Sequence, residues 1–187
     1  MSARERDRGA RAERAVVGLD LSITATGVAL ADGSVLTVGP PAKLADRRLL
    51  SLRDHVAIAF DRTDRPVELV VIEGPVVRSS AAVVIGMVHG VMRADLLDRG
   101  IPYAIVPPAT LKKYATGKGN ADKTAMALAL YKRTGLELAD DNQVDAWWLR
   151  AAGLHHLGCP IVDVPQAQAD ALAKVEWPAL DEMDGAA

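Results

Sequence analysis

One cysteine in 187 residues excludes both an internal disulfide framework and a thiolate-rich metal site. Cys159 has no partner in its own chain, so the expected setting is a reducing cytoplasm. Histidine is nearly as scarce. His55, His89, His155 and His156 do not combine with Cys159 at zinc-site spacing, and His155–His156 reads as the end of a helix. Aromatic residues make up 4% of the chain, with Phe60 the one phenylalanine, which leaves few stacking platforms. No apolar run reaches the roughly 18 residues of a membrane helix. The longest, Ala81 to Met92, is interrupted by His89. The opening stretch MSARERDRGARAER is charged, so it is not expected to act as a secretory signal. Lacking apolar periodicity, residues 1–14 are expected to form a disordered arm. A net charge of −2 gives no general attraction for polyanions, so nucleic-acid contact would need locally concentrated basic residues.

What remains is the composition of one globular α/β domain: half the residues are hydrophobic and a quarter charged. That domain is expected over residues 15–158, with a peripheral tail at 159–187 that has room for one short helix. AVVGLDLS is a short apolar run of buried-strand type, and TGVALADGSVLTVG follows with Asp32-Gly33 at a hairpin position. Three consecutive antiparallel strands result. Leu44, Leu49, Leu52, Val56 and Ala59 recur at helical spacing, and PVELVVIEG is a further buried strand ending in Glu73. SSAAVVIGMVHGVMRADLLDRG predicts a long helix with a Ser start and a Gly stop, and IPYAIVPP a fifth strand halted by prolines. A helix with Asn120 as its N-cap and a closing helix around Asp145 complete the order βββαβαβαα.

Three acids stand out against this apolar background. Asp20 lies inside the first strand, Glu73 at the carboxyl end of the fourth, and Asp145 within the run VDAWWLRAAG. Each has an ordinary reading: a strand-end acid satisfied by the next turn, a solvated strand terminus, and a first-turn acid favouring the helix dipole behind an Asp140 or Asp141 cap. Together they say more. If the first and fourth strands are parallel neighbours, Asp20 and Glu73 stand side by side, and a helix carrying Asp145 can lay a third carboxylate over them. Three carboxylates that close require a counter-cation. An all-oxygen donor set suits Mg²⁺ or Mn²⁺, and such clusters support two-metal phosphoryl chemistry. Trp147 and Trp148 read as core or interface residues.

GLDLSITATGVAL, VVIEGP, LKKYATGKGNADK and NQVDAWWLRAA, in that order, resemble the RuvC family of Holliday-junction resolvases, within the ribonuclease H-like fold. The match runs from about Val16 to His155 and is closest to resolvases of actinobacterial phages. The resemblance implies a five-stranded mixed sheet, three antiparallel strands then two parallel, flanked by helices. It also implies that Asp20, Glu73 and Asp145 bind Mg²⁺, with Mn²⁺ as a substitute, to cleave branched DNA. The family's fourth ligand falls at Asn142, an uncharged amide; Asp141, one helical turn before Asp145, is the alternative. The family's two lysines near the scissile phosphate map onto Lys112 and Lys123. GMVHGV in the 79–99 helix matches the small-residue helix by which family members form homodimers. Packing of Gly86 and Gly90 on the chain's own sheet is the alternative. Neither a membrane nor a small-molecule cofactor is expected.

The residues also argue for DNA contact without the resemblance. Over 107–133, Lys112, Lys113, Lys118, Lys123, Lys132 and Arg133 face Asp122 as the single acid. Lys132 and Arg133 read as a solvated helix face. Lys118 between two glycines, with Asn120 at the following helix start, is placed to hold a DNA phosphate. One departure from the family stands out: GPVVRSS, after Glu73, carries no aromatic wedge, and Arg78 there can touch phosphate without stacking. The expected substrate range therefore widens to three-way junctions and flaps. Two other readings remain: a RuvC-related nuclease that trims ribosomal-RNA precursors, and a junction-binding protein without catalysis. A sugar-kinase-like ATPase would need a second domain that 187 residues do not provide.

Overall fold

A computed structural model describes residues 14–62, 65–75 and 81–180. Five strands form one mixed sheet: β1 (Val16–Asp20), β2 (Thr26–Ala29), β3 (Val35–Val38), β4 (Leu69–Glu73) and β5 (Tyr103–Val106), in the order β3-β2-β1-β4-β5. The first three pair antiparallel, and β4 and β5 add in parallel. The expected hairpin closes through Asp32, whose Oδ1 accepts from Ser34 N at 2.8 Å. The helices are α1 (Arg47–Asp61), α2 (Ala82–Asp98), α3 (Pro108–Thr116), α4 (Lys123–Thr134), α5 (Asp141–His156) and α6 (Gln166–Ala169).

Period-2 alternation divides the core between the two sheet faces. Val17, Leu19, Val70 and Ile72 pack against α1 and α2 through Leu52, Val56, Val88, Met92 and Leu96. Val16, Leu69 and Val71 point the other way and pack beneath Trp147, Trp148 and Leu149 of α5. The two tryptophans are core residues, buried and edge to face at 5.1 Å. His155 and His156 are the last two residues of α5, as expected.

Local expectations change at several points. Pro107-Pro108 does more than halt β5: Pro108 sits at the first turn of α3, where a missing N–H costs nothing, and the helix runs on to the left-handed Gly117 at φ 85°. The cap of α4 is Asp122, accepting from Ala125 N at 2.8 Å, and Asn120 lies in the turn before it. In the described part of the long helix, α2 starts behind Ala81 without a side-chain cap; the expected Ser start lies outside the described residues. The stretch beyond Gly158 is not peripheral up to residue 180. Val162, Val164, Leu172 and Val175 join the α5-side core, and Trp177 stacks on His156 at 4.2 Å. Arginine 133, expected to be solvated, pins this stretch through the Asp163 carbonyl at 2.6 Å and Gln168 Oε1 at 3.0 Å. Residues 1–13, most of the expected disordered arm, lie outside the described residues.

The closing helix lies directly on strand backbone. A Cβ on Gly18 would come within 2.6 Å of Arg150 N and closer still to the Ala146 carbonyl; one on Gly27 would strike the Asn142 carbonyl. Gly153 does the same from the helix side, 2.6 Å from Val71 Cγ2. Gly18→Ala therefore has no relaxed solution and should destabilise the chain by roughly 3 kcal/mol or more. Urea unfolding measures this; a loss within about 0.5 kcal/mol would mean that α5 rides higher than described here.

Candidate active site

Asp20 and Glu73 end adjacent parallel strands. The register pairs Leu19 with Ile72, so the next residue on each strand is the acid. Alternation then aims both carboxyls to the α5 face, since Asp20 shares the side of Val16, and Glu73 that of Leu69 and Val71. The turn after Asp20 is locked by Thr26, which accepts from Ser22 N at 2.9 Å and donates to Ser22 O at 2.6 Å. Arg48 Nη2 adds a bond to Ile23 O at 2.7 Å.

Over this pair lies the start of α5. Asp140 caps it, accepting from Gln143 N at 2.9 Å with one oxygen and from Thr37 Oγ1 at 2.6 Å with the other. That second bond ties the helix to β3. Farther along, Arg150 Nη2 donates to Ala31 O at 2.8 Å. Held at both points and pressed onto Gly18 and Gly27, α5 delivers Asp145 to the two strand-end acids.

All three carboxyls are half-buried and pushed upward. Burial is the main cause for Asp20, with the Asp145 charge next. For Glu73 burial again leads, followed by the charges of Asp20 and Asp145. Asp145 is raised to about 6 by burial, and Lys112 and Lys123 pull it back. Asp20 and Glu73 also hydrogen-bond each other, and both carboxyls end up raised by burial and by the negative charge of their neighbours. One proton thus relieves a repulsion that a cation could relieve instead.

The lysines divide into two groups. Lys112 acts on Glu73 and Asp145, and Lys123 acts on Asp20 and Asp145. Lys123 also bonds Asp141 directly, which lowers that carboxyl; Asp141 in turn raises Asp20 and Asp145. The Asn142 backbone packs against Gly27. Lys113 is exposed on α3, while Lys118 and Asn120 line a groove between α3 and α4. Arg78 lies outside the described residues. Sequence reasoning missed Thr37, Arg48 and Arg150 as positioning residues. Their partners are a distant side chain and two backbone carbonyls, which leave no mark in local sequence.

The donor set fits a hard divalent cation: carboxylate oxygens, no thiolate, no neighbouring imidazole. Among the described residues no three His, Cys, Asp or Glu side chains converge as a ready-made cage. Asp20 and Glu73 meet through a proton. The raised values, about 6, 7 and 8 for Asp145, Asp20 and Glu73, make a stability test. The folded chain holds protons that the unfolded chain has released above about pH 4. Their stabilisation is therefore complete below that pH and is lost as pH rises from about 4 through the folded values of about 6 to 8. In EDTA, Tm should fall over that window, and Glu73→Gln should flatten the fall. Magnesium should raise Tm by a few degrees at the alkaline end and by little at the acid end. A magnesium effect independent of pH would contradict the carboxylate cluster.

No protein-family model matches the chain. Curated relatives do. The crossover junction endodeoxyribonuclease RuvC of Saccharopolyspora erythraea is 30% identical over 170 residues, 84% of this chain and 85% of that protein. The corresponding protein of Paenarthrobacter aurescens is 30% identical over 153 residues, 75% of this chain and 79% of its own length. Among solved structures, T. thermophilus RuvC in complex with Holliday junction substrate superposes with a TM-score of 0.61 at 24% identity, covering 81% of this chain and 100% of that one. That likeness carries the ribonuclease H-like fold, and the identity and coverage carry the rest: the chain belongs to the RuvC family of crossover junction endodeoxyribonucleases.

Proposed function

We propose that this chain is an endonuclease that resolves Holliday junctions and cuts other branched DNA by phosphodiester hydrolysis at the Asp20–Glu73–Asp145 cluster. The observation that supports the reading is that half-buried Asp20 and Glu73, at the ends of β1 and β4, are in contact and feel the charge of Asp145 on α5, with Lys112 and Lys123 beside them, in a chain of this family.

Asp20, Glu73 and Asp145 would hold magnesium, with manganese as a substitute, and Asp141 or Asn142 would supply the fourth ligand. When bound, such ions activate the attacking water and stabilise the leaving 3′ oxygen. Lys112 and Lys123 place positive charge where the phosphate enters. In the free chain Lys123 and Asp141 hold each other at the edge of the site. Opening that pair would turn an ammonium toward phosphate and a carboxylate toward a cation in one movement. Lys113, Lys118 and Asn120 are assigned to the DNA backbone. With no aromatic residue described near Glu73 to split a junction centre, specificity is expected to rest on branch shape, so three-way junctions and flaps should also be cut.

The homodimer is assigned to α2. Val83, Val84 and Met87 are 76%, 40% and 41% exposed, and a Cβ on Gly86 or Gly90 would meet nothing within 4 Å. These glycines therefore do not serve packing against the chain's own sheet. A second copy on this face would set two sites against two symmetric strands.

Two experiments test the reading. On a labelled immobile four-way junction in magnesium, Asp20→Asn, Glu73→Gln and Asp145→Asn should each cut at least about a hundredfold more slowly and still bind. Retained cutting by Asp145→Asn would remove α5 from the site, and cutting of structured RNA alone would move the assignment to RNA processing. Val83→Glu should shift the chain from dimer to monomer in analytical ultracentrifugation. A wild-type monomer would overturn the α2 interface.

A further inference from the structure

On the far side of α4 from the carboxylates lies an open groove of about 800 Å³. Its floor is small, formed by Ala121, Ala125 and Ala129, and among the described residues no side chain fills it. Lys118 and Asn120 stand at one end and Lys132 and Arg133 at the other. Lys132 follows Lys123 by nine residues, two and a half helical turns, which puts it on the opposite face of α4. Lys123 turns to Asp141 and the acids, so the groove is not part of the cluster already described.

The groove carries a net positive charge. Among the described residues the cations of Arg14, Arg53, Arg99 and Lys123 each pair with a carboxylate, whereas Lys118, Lys132 and Arg133 do not. Arg133 is held by a backbone carbonyl and an amide oxygen, both neutral, so its position is fixed and its charge stands. The one acid on the lining, Asp122, has an oxygen committed to the Ala125 amide at the helix start. In a chain of net charge −2, this concentrates three cations around a shallow, alanine-floored trough.

We infer that the groove is a second DNA-backbone site, holding a strand that is not the one presented to the carboxylates. The inference rests on the branched-DNA reading above. From the start of α4 to Lys132 is about 14 Å along the helix axis. Each strand of a DNA duplex places a phosphate about every 3.4 Å along the duplex axis, so a strand running past the groove presents more than one phosphate to it. A polyanion of that repeat fits better than a lone phosphate, because the cations stand at the two ends of the trough. With Lys123 on one side of α4 and Lys118 and Lys132 on the other, the helix separates two strands of the branched substrate. The uncut strand is thereby held in place.

Junction binding is measured across a salt series in calcium or EDTA, for wild type, Lys132→Ala, Lys132→Arg and Leu128→Glu. Leu128 is 47% exposed on the groove wall, so its replacement adds negative charge without emptying the core. Lys132→Ala should lower the salt slope by about one, its deficit shrinking about threefold between 50 and 200 mM salt. Lys132→Arg should behave as wild type, and Leu128→Glu should bind more weakly than Lys132→Ala. All three variants should keep the wild-type Tm, which separates a lost phosphate contact from a folding defect. Wild-type affinity and slope in Lys132→Ala would overturn the groove. A salt-independent loss would also overturn it, because a phosphate contact must release counterions. If wild type binds no branched DNA, the functional reading falls and takes the groove with it.

Discussion

The contact between α5 and the backbone of β1 and β2 governs the rest of the molecule. Three glycines, Gly18 and Gly27 below and Gly153 above, remove the side chains that would hold a helix at ordinary distance from a sheet. The helix sinks until its carbonyls touch strand backbone, and Thr37 and the Ala31 carbonyl clamp it in place. Asp145 owes its position to that depth. A helix standing one side chain higher would leave the strand-end acids as a solvated pair, and the third carboxylate would face water.

Bringing acids together in this way works against stability, and the surrounding structure offsets the repulsion by several routes. One proton bridges Asp20 and Glu73. Lys112 from α3 and Lys123 from α4 lean on the cluster from outside it. Trp148, Tyr114 and Leu149, fully buried, pack beneath those same helices. Strained, like-charged clusters of this kind are tolerated where a ligand completes them. A divalent cation is the completion that the oxygen donors favour.

The surfaces around the cluster differ in kind. On one side of the sheet, α2 leaves an apolar stripe uncovered, suited to a second copy of the chain. On the other, α3, α4 and the turn between them carry Lys112, Lys113, Lys118, Lys123, Lys132 and Arg133, around the acids and along the groove behind them. A chain of net negative charge can therefore still meet DNA, because its repulsive and attractive charges are segregated.

Much of this was legible in the residues. Apolar runs of strand length, the Asp32-Gly33 hairpin and the placement of Glu73 at a strand end are local facts, and local sterics and period-2 alternation decide them. The family motifs added the pairing of the strands in one mixed sheet and the assignment of the three acids to a metal site. Other features were not legible. The α3 helix was hidden because two prolines read as a stop, although one of them can open a helix. The role of Arg133 and the burial of the stretch beyond Gly158 depend on partners some 30 or more residues away. By itself the sequence determined which residues could be buried, which strands could pair and which acids were out of place among apolar neighbours. Only the tertiary structure decided that Asp145 comes near enough for its charge to act on Asp20 and Glu73, and that Lys123 and Lys132 face opposite ways. Those outcomes depend on how deeply one helix packs and how another is rotated, and long-range contacts set both.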